Sequence, residues 1–134
     1  MAWKQTTFEV QTTEGKFPVS GITRRGLGLH LVGAHPDGQR GVFHLVHLRS
    51  GLAFLIINMP TAADASEIAE IIINYANWGK FETPSAIAKA DPQWMPKILG
   101  IKHSLPGPDW MEMLDPAMND PARIGWYDPK GPRH

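Results

Sequence analysis

The sequence predicts an α+β fold: an antiparallel sheet of four to five strands backed by one amphipathic helix, with a Pro-rich, partly helical C-terminal segment wrapping the domain. Three observations carry this. Leu52-Ala53-Phe54-Leu55-Ile56-Ile57 holds no polar residue and is broken by Met59-Pro60, the pattern of a buried strand. Ala65, Ile68, Ala69, Ile72, Tyr75 and Ala76 then recur at three- and four-residue spacing, one face of a helix over 62–77. Nine of the twelve prolines fall in residues 83–134, which limits that part to short elements. At 134 residues the chain suits a single domain, organised as a sheet-plus-helix core (1–82) and an extension packed on it (83–134).

Residues 3–12, rich in Thr and aromatics, read as a first strand. Glu14-Gly15 signals a turn, and 17–24 reads as a second strand that Pro18 and Gly21 make an edge or a bulged one. A third strand spans 27–32, His35 to Gly41 is a turn cluster, and a fourth strand spans 42–48. Arg49-Ser50-Gly51 connects tightly to the fifth, at 52–57. The last three strands make an antiparallel meander. Pairing Leu31 with Phe43 and Leu29 with Leu45 puts both apolar pairs on one face. The same register sets His30 opposite His44 on the other face, near Val32, Val42 and Val46.

Thr61 opens the helix with Asp64 three residues on, and Asp64 and Glu67 complement the positive end of its dipole. Glu67, Glu70, Asn74 and Asn77 continue a polar stripe, and Trp78-Gly79 ends the helix. Asp-Pro pairs at 91–92, 115–116, 120–121 and 128–129 suit helix starts, with Asp as cap and Pro in the first turn. Short helical turns are expected near 84–90, 92–99 and 109–114, then an irregular tail from Asp115. A strand apolar at every position needs cover on both faces. One helix covers one face; the other calls for the Trp/Met-rich tail, a second protomer or a foreign protein.

Several chemistries are excluded or weakened. With no cysteine there is no disulfide and no thiolate metal site. No serine sits in a Gly-x-Ser-x-Gly elbow. Gly26-Leu27-Gly28 and Gly33 run into a strand rather than a helix, so they do not make a dinucleotide loop. The N-terminus lacks the basic-then-apolar pattern of a signal peptide, and no apolar run approaches the roughly 18 residues of a membrane span. A cytoplasmic protein without membrane contact or cofactor is expected.

Four of the six histidines fall between residues 30 and 47. Imidazoles bind metals and move protons near neutral pH. His44 and His47 are three apart and so face opposite ways, which leaves His30 and His44 as a cross-strand pair. These two are weak candidates for a metal or acid–base site, since a catalytic zinc needs a third ligand and nothing selects one, Asp37 included.

Charge is uneven. Residues 1–60 hold six basic and three acidic residues, and 61–134 hold seven basic and ten acidic. Arg24, Arg25, Arg40 and Arg49, with Trp3, Phe8 and Phe17, would form a phosphate-tracking and stacking surface if they share one face. Trp78, Trp94, Trp110 and Trp126 are spaced by sixteen, and Pro92-Gln93-Trp94-Met95 resembles Pro108-Asp109-Trp110-Met111. The residues between do not match, which reads as two similar docking turns rather than a repeat array.

The function expected is a small non-catalytic binding protein, inhibitor- or adaptor-like, acting through protein–protein contacts. Its contacts would come from Glu67 and Glu70 on the helix stripe, from the sheet rim, or from Trp126 and Tyr127 in the tail, with an unidentified protein or a second copy as partner. The alternative is a nucleic-acid-binding module using the four arginines; a third reading is a small His-dependent enzyme. The run His47 to Gly51, the apolar strand after it, and Thr61-Ala62-Ala63-Asp64 leading into a helix that ends at Asn77-Trp78 look like small proteins of bacterial phages and plasmids. The resemblance covers about a quarter of the chain, implies an accessory protein that acts by binding, and transfers no site.

Overall fold

The computed structural model of the chain describes residues 3–12, 14–107 and 109–114. Six strands form one antiparallel sheet in sequence order: β1 (Lys4–Thr12), β2 (Gly15–Arg24), β3 (Leu27–Ala34), β4 (Gly41–His47), β5 (Leu52–Met59) and β6 (Met111–Met113). Between β5 and β6 lie helices α1 (Ala62–Ile73), α2 (Ser85–Ala90) and α3 (Trp94–Lys102), with a 3-10 turn at Trp78–Lys80. The α+β class holds. Among the described residues the sheet has six strands where four or five were expected; α1 is the backing helix, and α2 and α3 fall at the helical turns expected near 84–90 and 92–99.

The β2–β3 hairpin turns on Arg25 (φ 50°) and Gly26 (φ 89°). Two successive left-handed residues give the type I′ geometry that matches strand twist, and a glycine at the second carries no Cβ penalty. Between β3 and β4, Leu31 faces Phe43, His30 faces His44 and Leu29 faces Leu45, the expected register. Alternation of apolar and polar residues on both strands specifies it, because a one-residue slip would turn the leucines outward. The register shifts at Leu31/Gly33, leaving Val32 as the extra residue. A second shift at Leu45/Val46 sits opposite Phe54, whose buried ring stacks on Trp78 at 4.9 Å.

Helix α1 begins as expected. The Thr61 hydroxyl accepts from the Asp64 amide (3.1 Å) and donates to the Asp64 carboxylate (3.0 Å), satisfying a free first-turn donor. The helix ends at Ile73, four residues before the expected Asn77. Trp78 is the reason: its ring turns back into the core, fully buried, and its Nε1 donates to the Ile72 carbonyl, an acceptor that a continued helix would have used.

The main core lies between α1 and one face of the sheet. Leu27, Leu29, Phe43, Leu45, Leu55 and Ile57 meet Ala65, Ala69, Ile72 and Ile73 there, and Trp78, Trp94, Ile98, Trp110 and Met111 extend the same cluster. Each aliphatic or Met side chain so buried is worth about 1.5–3 kcal/mol. The helical turn expected at 109–114 is instead β6. Met111 pairs Ile57 and Met113 pairs Leu55, while the Asn58 amide donates to the Trp110 carbonyl (2.8 Å). An otherwise open β5 edge offers these residues a ladder that an isolated helical turn lacks.

Among the described residues, the second face of the sheet is covered by the β1–β2 hairpin. The sheet curls until the Gln11 amide donates to the Gly51 carbonyl in the β4–β5 turn (2.7 Å). Phe8 then lies across Gly28; a Cβ there would stand 2.8 Å from Phe8 Cζ, so the close approach requires glycine.

Candidate functional site

The curl encloses a concave surface lined by side chains from β1, β3, β4 and β5. Phe8 meets the His30 ring edge-on at 5.9 Å, and His30 meets His44 edge-on at 5.8 Å, so three aromatic rings step across the sheet. Beside the two imidazoles is a cavity of about 180 Å³, walled by Val10, Val32, Ala53 and Leu114 and rimmed by Gln11 and Thr12. On the rim, Gln11 Nε2 donates to the Thr12 carbonyl (2.9 Å) and Thr12 Oγ1 to the Gly15 carbonyl (2.9 Å).

Among the described residues, neither His30 nor His44 has a hydrogen-bond partner for its ring nitrogens. Burial lowers the pKa of His30, and burial together with the neighbouring His30 brings His44 down to about 4. Both rings are therefore neutral at pH 7, each with one N–H donor and one bare nitrogen acceptor. Among the described residues, no carboxylate or cationic side chain lines the cavity. No group of three or more His, Asp or Glu able to hold a metal exists among the described residues.

His47 does not join them. It is buried on the opposite side of β4, its Nε2 2.8 Å from the Trp78 carbonyl and its Nδ1 2.7 Å from Ser50 Oγ. The pocket a His-dependent enzyme would need, with a carboxylate beside the imidazoles, is not assembled among the described residues.

The four arginines are divided among three sets of partners. Arg24 pairs with Glu70 of α1, and Arg25 Nη1 donates to Asn74 Oδ1 (3.1 Å). Arg49 Nη1 donates to the carbonyls of Gly79 (3.2 Å) and Lys80 (3.0 Å). Arg40 sits at the β3–β4 turn between two aspartates, with Nε 2.6 Å from Asp37 and Nη2 2.9 Å from Asp109. Backbone amides of Gln39 and Arg40, with the Arg40 guanidinium, hold the Asp37 carboxyl well below the usual range. Arg40 does the same for Asp109. Nor do the expected stacking aromatics assemble on the surface. Phe8 is turned onto His30, Trp3 Nε1 donates to Glu70 (3.0 Å), and of the three only Phe17 stands mostly clear.

Of the expected partner-binding residues, Glu67 is exposed on α1, while Glu70 is held by Trp3 and Arg24. Trp126 and Tyr127 lie outside the described residues. A feature the sequence reading missed is the parting of two hairpins. Strand β2 pairs β3 only through Ile22–Leu29, Thr23–Gly28 and Arg24–Leu27; beyond that, Leu31 to Ala34 pair with β4 alone. Leu31 (60% exposed) and Val32 (51%) stand on one lip of the opening and Phe17 (47%) on the hairpin opposite. The signal was present in the sequence: β2 and β3 extend well past their shared turn, and Pro18 and Gly21 fall where continued pairing would need donors and room. Compared with known protein families, curated proteins and solved structures, the chain matches none of them.

Proposed function

We propose that the chain is a small non-catalytic binding protein, and that it takes an extended, apolar segment of a partner protein in the cleft where β2 leaves β3. The observation that carries this is the coincidence of an unpaired strand side on β3 with the exposed side chains of Leu31 and Val32. A strand edge binds another strand through main-chain bonds, and side chains beside it supply selectivity. The β3 lip is the better acceptor. Gln11 donates outward from β1 to Gly51, so by strand alternation Glu9 also faces outward, and its partner Pro18 turns its nitrogen toward the cleft. That nitrogen carries no hydrogen, so β2 offers one donor fewer. The Val32 bulge and Pro18 also guard against indiscriminate edge pairing, as expected of a site kept for one partner. A cytoplasmic location belongs to the same proposal, since a cysteine-free chain asks nothing of an oxidising compartment.

The test is selection of displayed random peptides on the purified full chain. The expected outcome is a set of extended, Val/Ile/aromatic-rich peptides whose binding is lost in the Leu31→Asp/Val32→Asp variant while its unfolding midpoint is unchanged. Peptides that bind the variant equally well would overturn the assignment. A concentration-dependent dimer in sedimentation, abolished by the same variant, would replace the foreign partner with a second copy of this chain.

A further inference from the structure

We infer that the cavity beside His30 and His44 is a binding site for a small neutral ring compound bearing one hydroxyl, a phenol-type ligand. The site adjoins the strand-binding cleft and shares Val32 with it. Size sets the first constraint. A cavity of about 150 Å³ accommodates a benzene-sized molecule, and this one, at about 180 Å³, has room for one ring with a small substituent.

The walls set the second. Val10, Val32, Ala53 and Leu114 are apolar, and the Gln11 amide nitrogen and the Thr12 hydroxyl are engaged in the β1–β2 hairpin. With no charged side chain in the lining among the described residues, an ionic ligand would enter without a counter-charge from them, and that cost disfavours carboxylates and ammonium groups.

The two imidazoles set the third. Their ring nitrogens are without partners among the described residues, and together they present both a donor and an acceptor. A hydroxyl is the smallest group that uses both, donating to the bare nitrogen of one ring while accepting the N–H of the other. The T-shaped Phe8–His30–His44 ladder adds ring edges suited to an aromatic face. A divalent metal fits less well: two histidines are present and no third ligand of the His, Asp or Glu type completes the set among the described residues.

The experiment is a titration of the full-length protein with phenol, benzene, benzoate and Zn²⁺ separately. Binding is followed by calorimetry and by NMR of the histidine ring protons. Phenol should bind saturably with a Kd on the order of 1 mM, as a ligand of so few atoms would, and should shift the His30 and His44 ring signals but not those of His47. Benzoate should be at least about tenfold weaker, from the charge argument. In His44→Leu, checked for an unchanged fold by circular dichroism, phenol should weaken about tenfold more than benzene does, the scale of one hydrogen bond. If that variant does not fold, the wild-type ring shifts and the phenol-against-benzoate ratio decide the matter. Non-saturable phenol shifts, equal affinity for benzoate, or one-to-one Zn²⁺ binding at these rings without phenol binding would each overturn the assignment.

Discussion

The Nε2 of His47 lies 2.8 Å from the carbonyl oxygen of Trp78 and so ties the end of β4 to the turn that follows α1. A carbonyl can only accept, so Nε2 carries the proton. Nδ1 is then the acceptor for Ser50, whose amide also points at it from 3.3 Å. Burial lowers the pKa of this ring, which keeps that neutral tautomer. Replacing His47 by Leu leaves the Trp78 carbonyl with the long bond from the Phe81 amide (3.4 Å) and removes the acceptor of Ser50, and should cost about 1–3 kcal/mol. Ser50→Ala removes the bond at the other nitrogen and the acceptor of the Leu52 amide (3.1 Å), and should cost about 1–3 kcal/mol for the two neutral bonds. Urea unfolding monitored by tryptophan fluorescence measures both.

The His30–His44 pair makes stability fall on the acid side of neutrality. Both rings have folded pKa values below the ordinary 6.5, so in the transition region the unfolded chain binds more protons. Their contribution is complete above pH 6.5 and is lost as pH falls toward about 4, where His44 protonates in the folded state. The same direction holds for His47. The depressed carboxylates act later, since Asp37, Asp91 and Asp109 lose their contribution only as pH drops below 3.8. Denaturant midpoints between pH 7 and 4.5 should therefore decline, and His44→Leu should flatten the decline.

Phe8 and Gly28 should behave as one unit. Gly28→Ala puts a Cβ 2.8 Å from Phe8 Cζ and 3.0 Å from Leu48 Cδ2, an overpacking that typically costs about 1–3 kcal/mol. Phe8→Ala removes a half-buried ring and should cost about 2 kcal/mol, toward the low end for aromatic truncations. In the double variant the clash with Phe8 is gone and only the Leu48 contact remains, so the double variant should cost less than the sum of the two. A double-mutant cycle in urea reads the difference directly.

Trp78 and Trp94 are both fully buried and meet edge-on at 5.2 Å, yet their indole nitrogens differ. Trp78 Nε1 donates to Ile72, whereas Trp94 Nε1 has no partner among the described residues. Substitution by Phe removes similar apolar area from each. Trp94→Phe also deletes an unsatisfied buried donor, so it should destabilise less than Trp78→Phe by about 1 kcal/mol. Equal effects in thermal unfolding would contradict this.

These contrasts show what a single sequence reveals. The pairing of β3 with β4 was legible because Leu29-His30-Leu31 and Phe43-His44-Leu45 alternate in phase, and a slip by one residue would exchange core for solvent. The start of α1 was legible because Thr61 and Asp64 form a local cap. Strand β6 was not, because nothing within Met111-Glu112-Met113 prefers a strand; the preference comes from the β5 edge more than fifty residues earlier. The cover of the second face was hidden for a similar reason. Gly28 becomes a seat for Phe8 only after the sheet has curled. The arginines read as a basic stripe because their partners, Glu70, Asn74, Asp109 and two backbone carbonyls, are distant in sequence.

The strand order of the sheet, β1 through β6 without a crossover, also fixes how the chain can assemble. Each strand meets its neighbour as soon as both have left the ribosome, and the first five strands require only short loop closures. The long closure, from β5 through three helices to β6, comes last. The nascent chain therefore carries an uncapped β5 edge until Met111 to Met113 emerge, and synthesis halted before them leaves the intermediate most exposed to aggregation.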